Sequence, residues 1–167
     1  MRSVTVVFTK SKKKFPIFSW LIMLWTWKSY SHVALKVDLS WLEGSMYFQA
    51  SEGKVNYEYE SHFLRENEII KSYQIEIPKD IYSKLAAERM KSAGENYGFM
   101  QNVGIVLVDI CKLFGKEISN PWKKGKNCSE LIYNLILKPL NPELNFDPET
   151  IKPHHVERII KELLSDG

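Results

Sequence analysis

The chain carries two thiols and four imidazoles, and their local sequences separate what each could do. Cys128 stands in KGKNCSELIYNLI, where Cys128, Leu131, Ile132, Leu135 and Ile136 share one face of a helix beginning at Asn127 or Cys128. A thiol at a helix N-terminus meets the positive end of the macrodipole and unpaired backbone N–H groups, both of which favour the thiolate. Those N–H groups can also receive the oxyanion of an attacked carbonyl. Lys123, Lys124 and Lys126 add positive potential close by. The competing reading is a structural thiol on an apolar face, because free cysteine is among the most buried residue types. Cys111, among Val and Ile, reads as core.

A nucleophilic cysteine needs a base, and the base needs an orienting partner. His154 and His155 open the last helix, where exposure is expected; as sequence neighbours they point apart and make a poor joint metal site. His62 lies in ESHFLREN, which reads as a charged loop with no role. His32 opens the strand SHVALKVDL on the face carrying Ala34 and Lys36, away from Val33, Leu35 and Val37. A small neighbour leaves room beside the imidazole, although a satisfied strand histidine fits the same pattern. Gln49 shares a face of the next strand with Tyr47 and Ser51, and antiparallel pairing could bring it beside His32. A neutral Gln would hold the ring's orientation and tautomer while stabilising imidazolium less than a carboxylate does. Glu52 is the nearby acidic alternative, and solvent-facing filler is the other reading of both.

The elements that must position these groups follow from periodicity. Residues 3–9, 31–39, 46–51, 55–59 and 71–78 alternate as strands. Phe15–Trp27 reads as a buried helix behind the basic KSKKK, with a surface-seeking amphipathic segment as the alternative; thirteen residues are too few to span a bilayer. A helix starts after Pro78, with Ile81 and Leu85 on one face. Met100–Phe114 is apolar nearly all round and is expected to be the central buried helix. Pro139, Pro142 and Pro148 punctuate an extended loop, and Pro153 opens a last amphipathic helix bearing Val156, Ile159, Ile160 and Leu163. Neither repeat nor linker divides the 167 residues, so a single α+β domain is expected over 1–167.

Composition narrows the function classes. Lys+Arg of 23 against Asp+Glu of 20 leaves +3, too little for the basic stripe of a nucleic-acid binder. Two cysteines cannot form a disulfide framework, and MRSVTVVFTK lacks the apolar core of a secretory signal, so a reduced, cytoplasmic setting is expected. Neither CxxC nor HExxH occurs, so no metal or other cofactor is called for.

The order of the pieces carries a resemblance. SWLIMLWTWKSYSHVAL (19–35) resembles an "I.W.T.S.YSHVAL" pattern; YFQASEGKVNYEY (47–59) resembles the strand pair that follows it, and NCSELIYNLI (127–136) resembles "yCSELV". Together they resemble the permuted NlpC/P60 papain-like proteins, in particular the YiiX/YaeF-type amidases of peptidase C92 type, and more distantly the lecithin–retinol acyltransferase-like enzymes. The likeness covers about residues 3–160 and is strongest at the His and Cys segments.

That resemblance implies a circularly permuted papain-like fold, with a five-stranded antiparallel sheet or half-barrel against helices and the cysteine at a helix N-terminus. It implies Cys128 as nucleophile, His32 as base and Gln49 as orienting group, where a Glu is expected from YiiX-type proteins. Tyr97, in ENYGF, matches a position ahead of the Cys helix that lines the site, and Tyr47 is a second substrate-binding candidate. The function implied is a cysteine hydrolase of amide bonds, acting on a peptide or amide substrate with peptidoglycan-derived peptides as the substrate class. An origin in a bacterium or a phage, virion included, is compatible with it. One alternative is a thiol acyltransferase or lipase on lipid esters, with Trp20–Trp27 and KSKKK making peripheral membrane contact. Another is a silent binding module of the same fold, motivated by Gln49 in place of an acid. The sequence fixes no oligomeric state.

Overall fold

The computed structural model of the protein describes residues 1–13, 17–38, 44–51, 54–95, 99–119, 127–148 and 150–165. It is a mixed α+β structure around one five-stranded antiparallel sheet in the order β4-β3-β2-β1-β5. The strands are β1 (Arg2–Ser11), β2 (His32–Asp38), β3 (Ser45–Ser51), β4 (Lys54–Tyr59) and β5 (Asn67–Ile77). β2 is therefore central, flanked by β1 and β3.

The period-two pattern divides the sheet into two unequal faces. Val4, Val6 and Phe8 of β1, Val33, Leu35 and Val37 of β2, Phe48 and Ala50 of β3 and Val55 of β4 enter the main core. The opposite face holds a small cluster of Val7, Ala34, Tyr47 and Phe63. Phe63 belongs to α2 (Glu60–Glu66), so the segment expected to be a charged loop is a helix that covers this second face. Its sequence gives little helical signal because only Phe63 of its seven residues is buried.

The main core is capped by α3 (Lys79–Ser92), by α5 (Cys128–Ile132) and by α7 (Pro153–Ser165). α5 runs on through a π-helical turn, Tyr133–Leu137, into α6 (Lys138–Leu140). Leu131, Ile132, Leu135, Ile136 and Leu137 are all buried, so this stretch is the central helix. The helix therefore passes Pro139 instead of ending in a loop before it. Pro139 has no N–H for the Leu135 carbonyl and its ring crowds it. The widened π turn, in which the Lys138 N–H reaches the Tyr133 carbonyl, relieves that conflict.

Two apolar helices lie further out than their composition predicts. In α1 (Ile17–Thr26) and just beyond it, Trp20, Leu24 and Trp27 are 70%, 70% and 88% exposed. In α4 (Phe99–Leu113), Leu107, Ile110 and Leu113 are exposed, as is Phe114 after it, and Cys111 is half-buried. Neither is the buried helix expected. α1 and α4 pack against each other, with the Trp25 indole N–H donating to Asp109 Oδ2 at 2.7 Å, because the sheet's core face is already taken by α5, the π turn and α7. Among the described residues no helix is long and apolar enough to cross a membrane.

A buried acid ties the layers together. Glu157 of α7 is 2% exposed and accepts from the Tyr30 hydroxyl, from Tyr73 at 2.7 Å and from Lys71 at 2.6 Å, while Lys161 lies 3.2 Å away. Tyr30 immediately precedes Ser31 and His32, so this cluster anchors the chain where it enters the central strand.

Candidate active site

β2 and α5 bring the predicted pair together. α5 packs against β2 and β3, with Cys128 in its first turn. That turn is held by a capping box: the Glu130 N–H donates to Asn127 Oδ1 at 2.8 Å, and the Asn127 N–H points back at Glu130 Oε2 at 3.4 Å. The Leu131 N–H takes the Asn127 carbonyl at 3.0 Å. The Cys128 and Ser129 N–H groups precede the helix's own bonds, as in any first turn.

The Cys128 thiol, 4% exposed, lies beside the His32 imidazole, close enough for each group to perturb the other's ionisation. Burial alone would push the thiol up; the His32 charge, its hydrogen bond, the Val33 N–H and the Ser129 side chain outweigh it and hold Cys128 below the ordinary thiol range. For His32, burial pulls the other way from its partners. The Cys128 charge and hydrogen bond, the bond to Gln49 and the field of Glu58 raise the imidazole above its ordinary value. Both directions favour the same pairing, thiolate with imidazolium, over a neutral thiol beside a neutral ring.

β3 supplies the group behind the ring. Leu35 pairs with Phe48 in the antiparallel β2–β3 ladder, which puts Gln49 on the His32 face and one pair along. His32 Nε2 and Gln49 Oε1 are 2.8 Å apart, so Nε2–H donates and Nδ1 is the nitrogen left for sulfur. Gln49 is 2% exposed, and its NH2 donates to Glu58 Oε2 on β4. Glu58 Oε1 in turn accepts from His62 Nδ1 on α2.

The remaining predicted residues fall elsewhere. Tyr47 is buried, stacked on Phe63 with centroids 3.9 Å apart and planes at 6°, and its hydroxyl donates to Glu60 Oε1 at 3.3 Å. With its ring 1% exposed and its hydroxyl bonded to Glu60, Tyr47 is a packing residue here and presents no open surface to a substrate. Tyr97, Glu52, Lys123, Lys124 and Lys126 lie outside the described residues. His154 and His155 are half-buried instead of exposed, and their rings lie 4.1 Å apart, so they do not point apart as expected. Burial, then His155, Lys152, Lys28 and Arg158, pull His154 down to about 4. Glu58 was not singled out in the sequence, and His62 was read there as a loop residue with no role. The available signal was parity, since Glu58 lies two residues beyond Asn56, which pairs with Gln49.

No family model and no curated protein matches the sequence. Among solved structures, the crystal structure of the metalloprotein YiiX from Escherichia coli O157:H7 is similar, with a TM-score of 0.55 and 20% sequence identity. The match covers 83% of this chain and 66% of that one. The likeness is one of fold, and it agrees with the YiiX-like α+β architecture implied by the sequence resemblance.

Proposed function

We propose that the protein is a cysteine hydrolase of amide bonds, with Cys128 as nucleophile, His32 as general base and acid, and Gln49 as orienting group. The observation that carries this reading is the buried Cys128 thiol in contact with an imidazole whose far nitrogen is held by Gln49. The thiolate attacks the substrate carbonyl carbon, and the oxyanion is received by the Cys128 backbone N–H at the start of α5. His32 gives its proton to the leaving amine as the C–N bond breaks, leaving a thioester on Cys128. His32 then takes a proton from water, whose oxygen attacks the thioester and releases the acid and the thiol. Peptides of cell-wall type are the substrate class.

The similar structure is that of a metalloprotein, and the Cys128, His32 and Gln49 set described here is not a metal-ligand set. Among the described residues no group of three His, Cys, Asp or Glu side chains is placed to hold a metal ion, and the third group of the site is a carboxamide, a weak ligand.

The test is the pH dependence of Cys128 alkylation, read by peptide mass spectrometry with half-buried Cys111 as internal control. Cys128 should react well below the ordinary thiol pKa of about 8.5, and His32→Ala should abolish that reactivity. Equal reaction of both cysteines, or an inert Cys128, would refute the assignment.

A second reading, a lipid ester as substrate at a membrane surface, is favoured by the exposed Trp20 and Leu24 of α1 and Trp27 just beyond it. Co-sedimentation with anionic vesicles at low salt is its expected outcome. Absence of binding there removes it.

A further inference from the structure

A carboxamide is a two-ended group. Gln49 could present either its oxygen or its NH2 to His32, and only the oxygen accepts from an imidazolium. Gln49 is buried on the second face of the sheet, so water does not choose between the ends. The choice is made by Glu58, whose carboxylate accepts and does not donate, and therefore takes the NH2 end. The ladder dictates this meeting: Gln49 pairs with Asn56, and Glu58 is the next residue on the same face. α2 begins directly after β4, which places His62 one turn beyond Glu58 to hold its other oxygen.

We infer that Glu58 is a positioning residue: it turns the Gln49 oxygen to His32 Nε2 and delivers a carboxylate's field through an intervening amide. His62 steadies Glu58. The acid expected at position 49 is thus present one strand further back. The inference rests on the Cys128–His32 reading for its functional meaning. The other charged groups around the relay are Glu66, 4.0 Å from His62 Nε2, and the Lys36–Glu60 pair at 3.2 Å on the same face. The raised proton affinity of His32, to which Glu58 contributes, agrees with this arrangement.

The relay predicts an exchange experiment on the whole chain. Glu58→Ala should cut the Cys128 alkylation rate at pH 6 about tenfold, as expected for removing one nearby stabilising charge. Gln49→Glu alone sets two carboxylates in contact and should also shift the profile, because the pair would hold a shared proton. The double variant Gln49→Glu, Glu58→Gln swaps acid and amide and should restore reactivity to within about threefold of wild type. Nitrogen NMR of His32 provides the second readout: Nε2–H should be the single protonated tautomer on neutralisation in wild type and become mixed in Glu58→Ala. A wild-type Cys128 with an ordinary thiol profile would sink the hydrolase reading, while the NMR would still decide the relay. An unchanged profile and an unchanged tautomer in folded Glu58→Ala would overturn the role of Glu58.

Discussion

Replacing Glu157 by Gln keeps the side chain's shape and removes its charge. Burial pushes this carboxyl up, but the donors Lys71, Tyr30, Tyr73 and Lys161 win and bring it from 4.5 down to about 2. At about 1.4 kcal/mol per pKa unit, that gap sets an upper value of about 3.5 kcal/mol for the ionised acid's contribution. The value is an upper one because the Lys71 and Lys161 ammonium groups reach solvent and are screened. Since the folded acid titrates below the unfolded one, the contribution is complete above about pH 4.5 and disappears as pH falls towards 2. Paired urea titrations of wild type and Glu157→Gln should therefore differ by roughly 2–3 kcal/mol at pH 7, or about 4–12 °C in Tm. By about pH 3 the difference should have lost more than half its size. A gap under about 1 kcal/mol at pH 7, or one that does not change with pH, would refute the reasoning. The effect should reach the site as well, because Tyr30 hangs on the same carboxylate two residues before His32.

Other outcomes follow from single contacts. Asn127→Ala removes the acceptor for the Glu130 N–H and should cost about 1 kcal/mol in urea unfolding, with a frayed first turn around Cys128. His154, held near 4 mainly by burial, binds its proton more readily unfolded, so it should drain about 2 kcal/mol of stability between pH 7.5 and pH 5; His154→Gln should flatten that slope of the urea midpoint. Trp27 ends α1 in the left-handed region at φ 52°, where the Lys28 N–H closes back on the Met23 carbonyl at 3.2 Å and glycine is usual. Being 88% exposed, it loses little packing on removal, so Trp27→Gly should raise stability by about 0.5–1 kcal/mol in thermal unfolding. Under the lipid reading the same change should weaken vesicle sedimentation, which would show why a tryptophan tolerates that backbone.

The sequence by itself determined the strand and helix inventory wherever burial is one-sided. β2 alternates between core and second face, so Val33, Leu35 and Val37 and, opposite them, His32 and Lys36 could be assigned from parity alone. The helix after Asn127 was legible for the same reason, and so was its thiol at the first turn. What only the tertiary structure decided is whatever depends on competition for one surface. The apolar runs of α1 and α4 look like core, yet the sheet has a single main core face and the helix through Cys128, the π turn and α7 occupy it. Glu58 and His62 look like solvated charges in YEYESHF until the β3–β4 register sets Glu58 behind Gln49 and α2 folds His62 onto it. Periodicity reports which way a side chain points along its own element. Which partner meets it across the ladder, and which of several apolar faces gains the core, is settled by long-range register and packing that no local window contains.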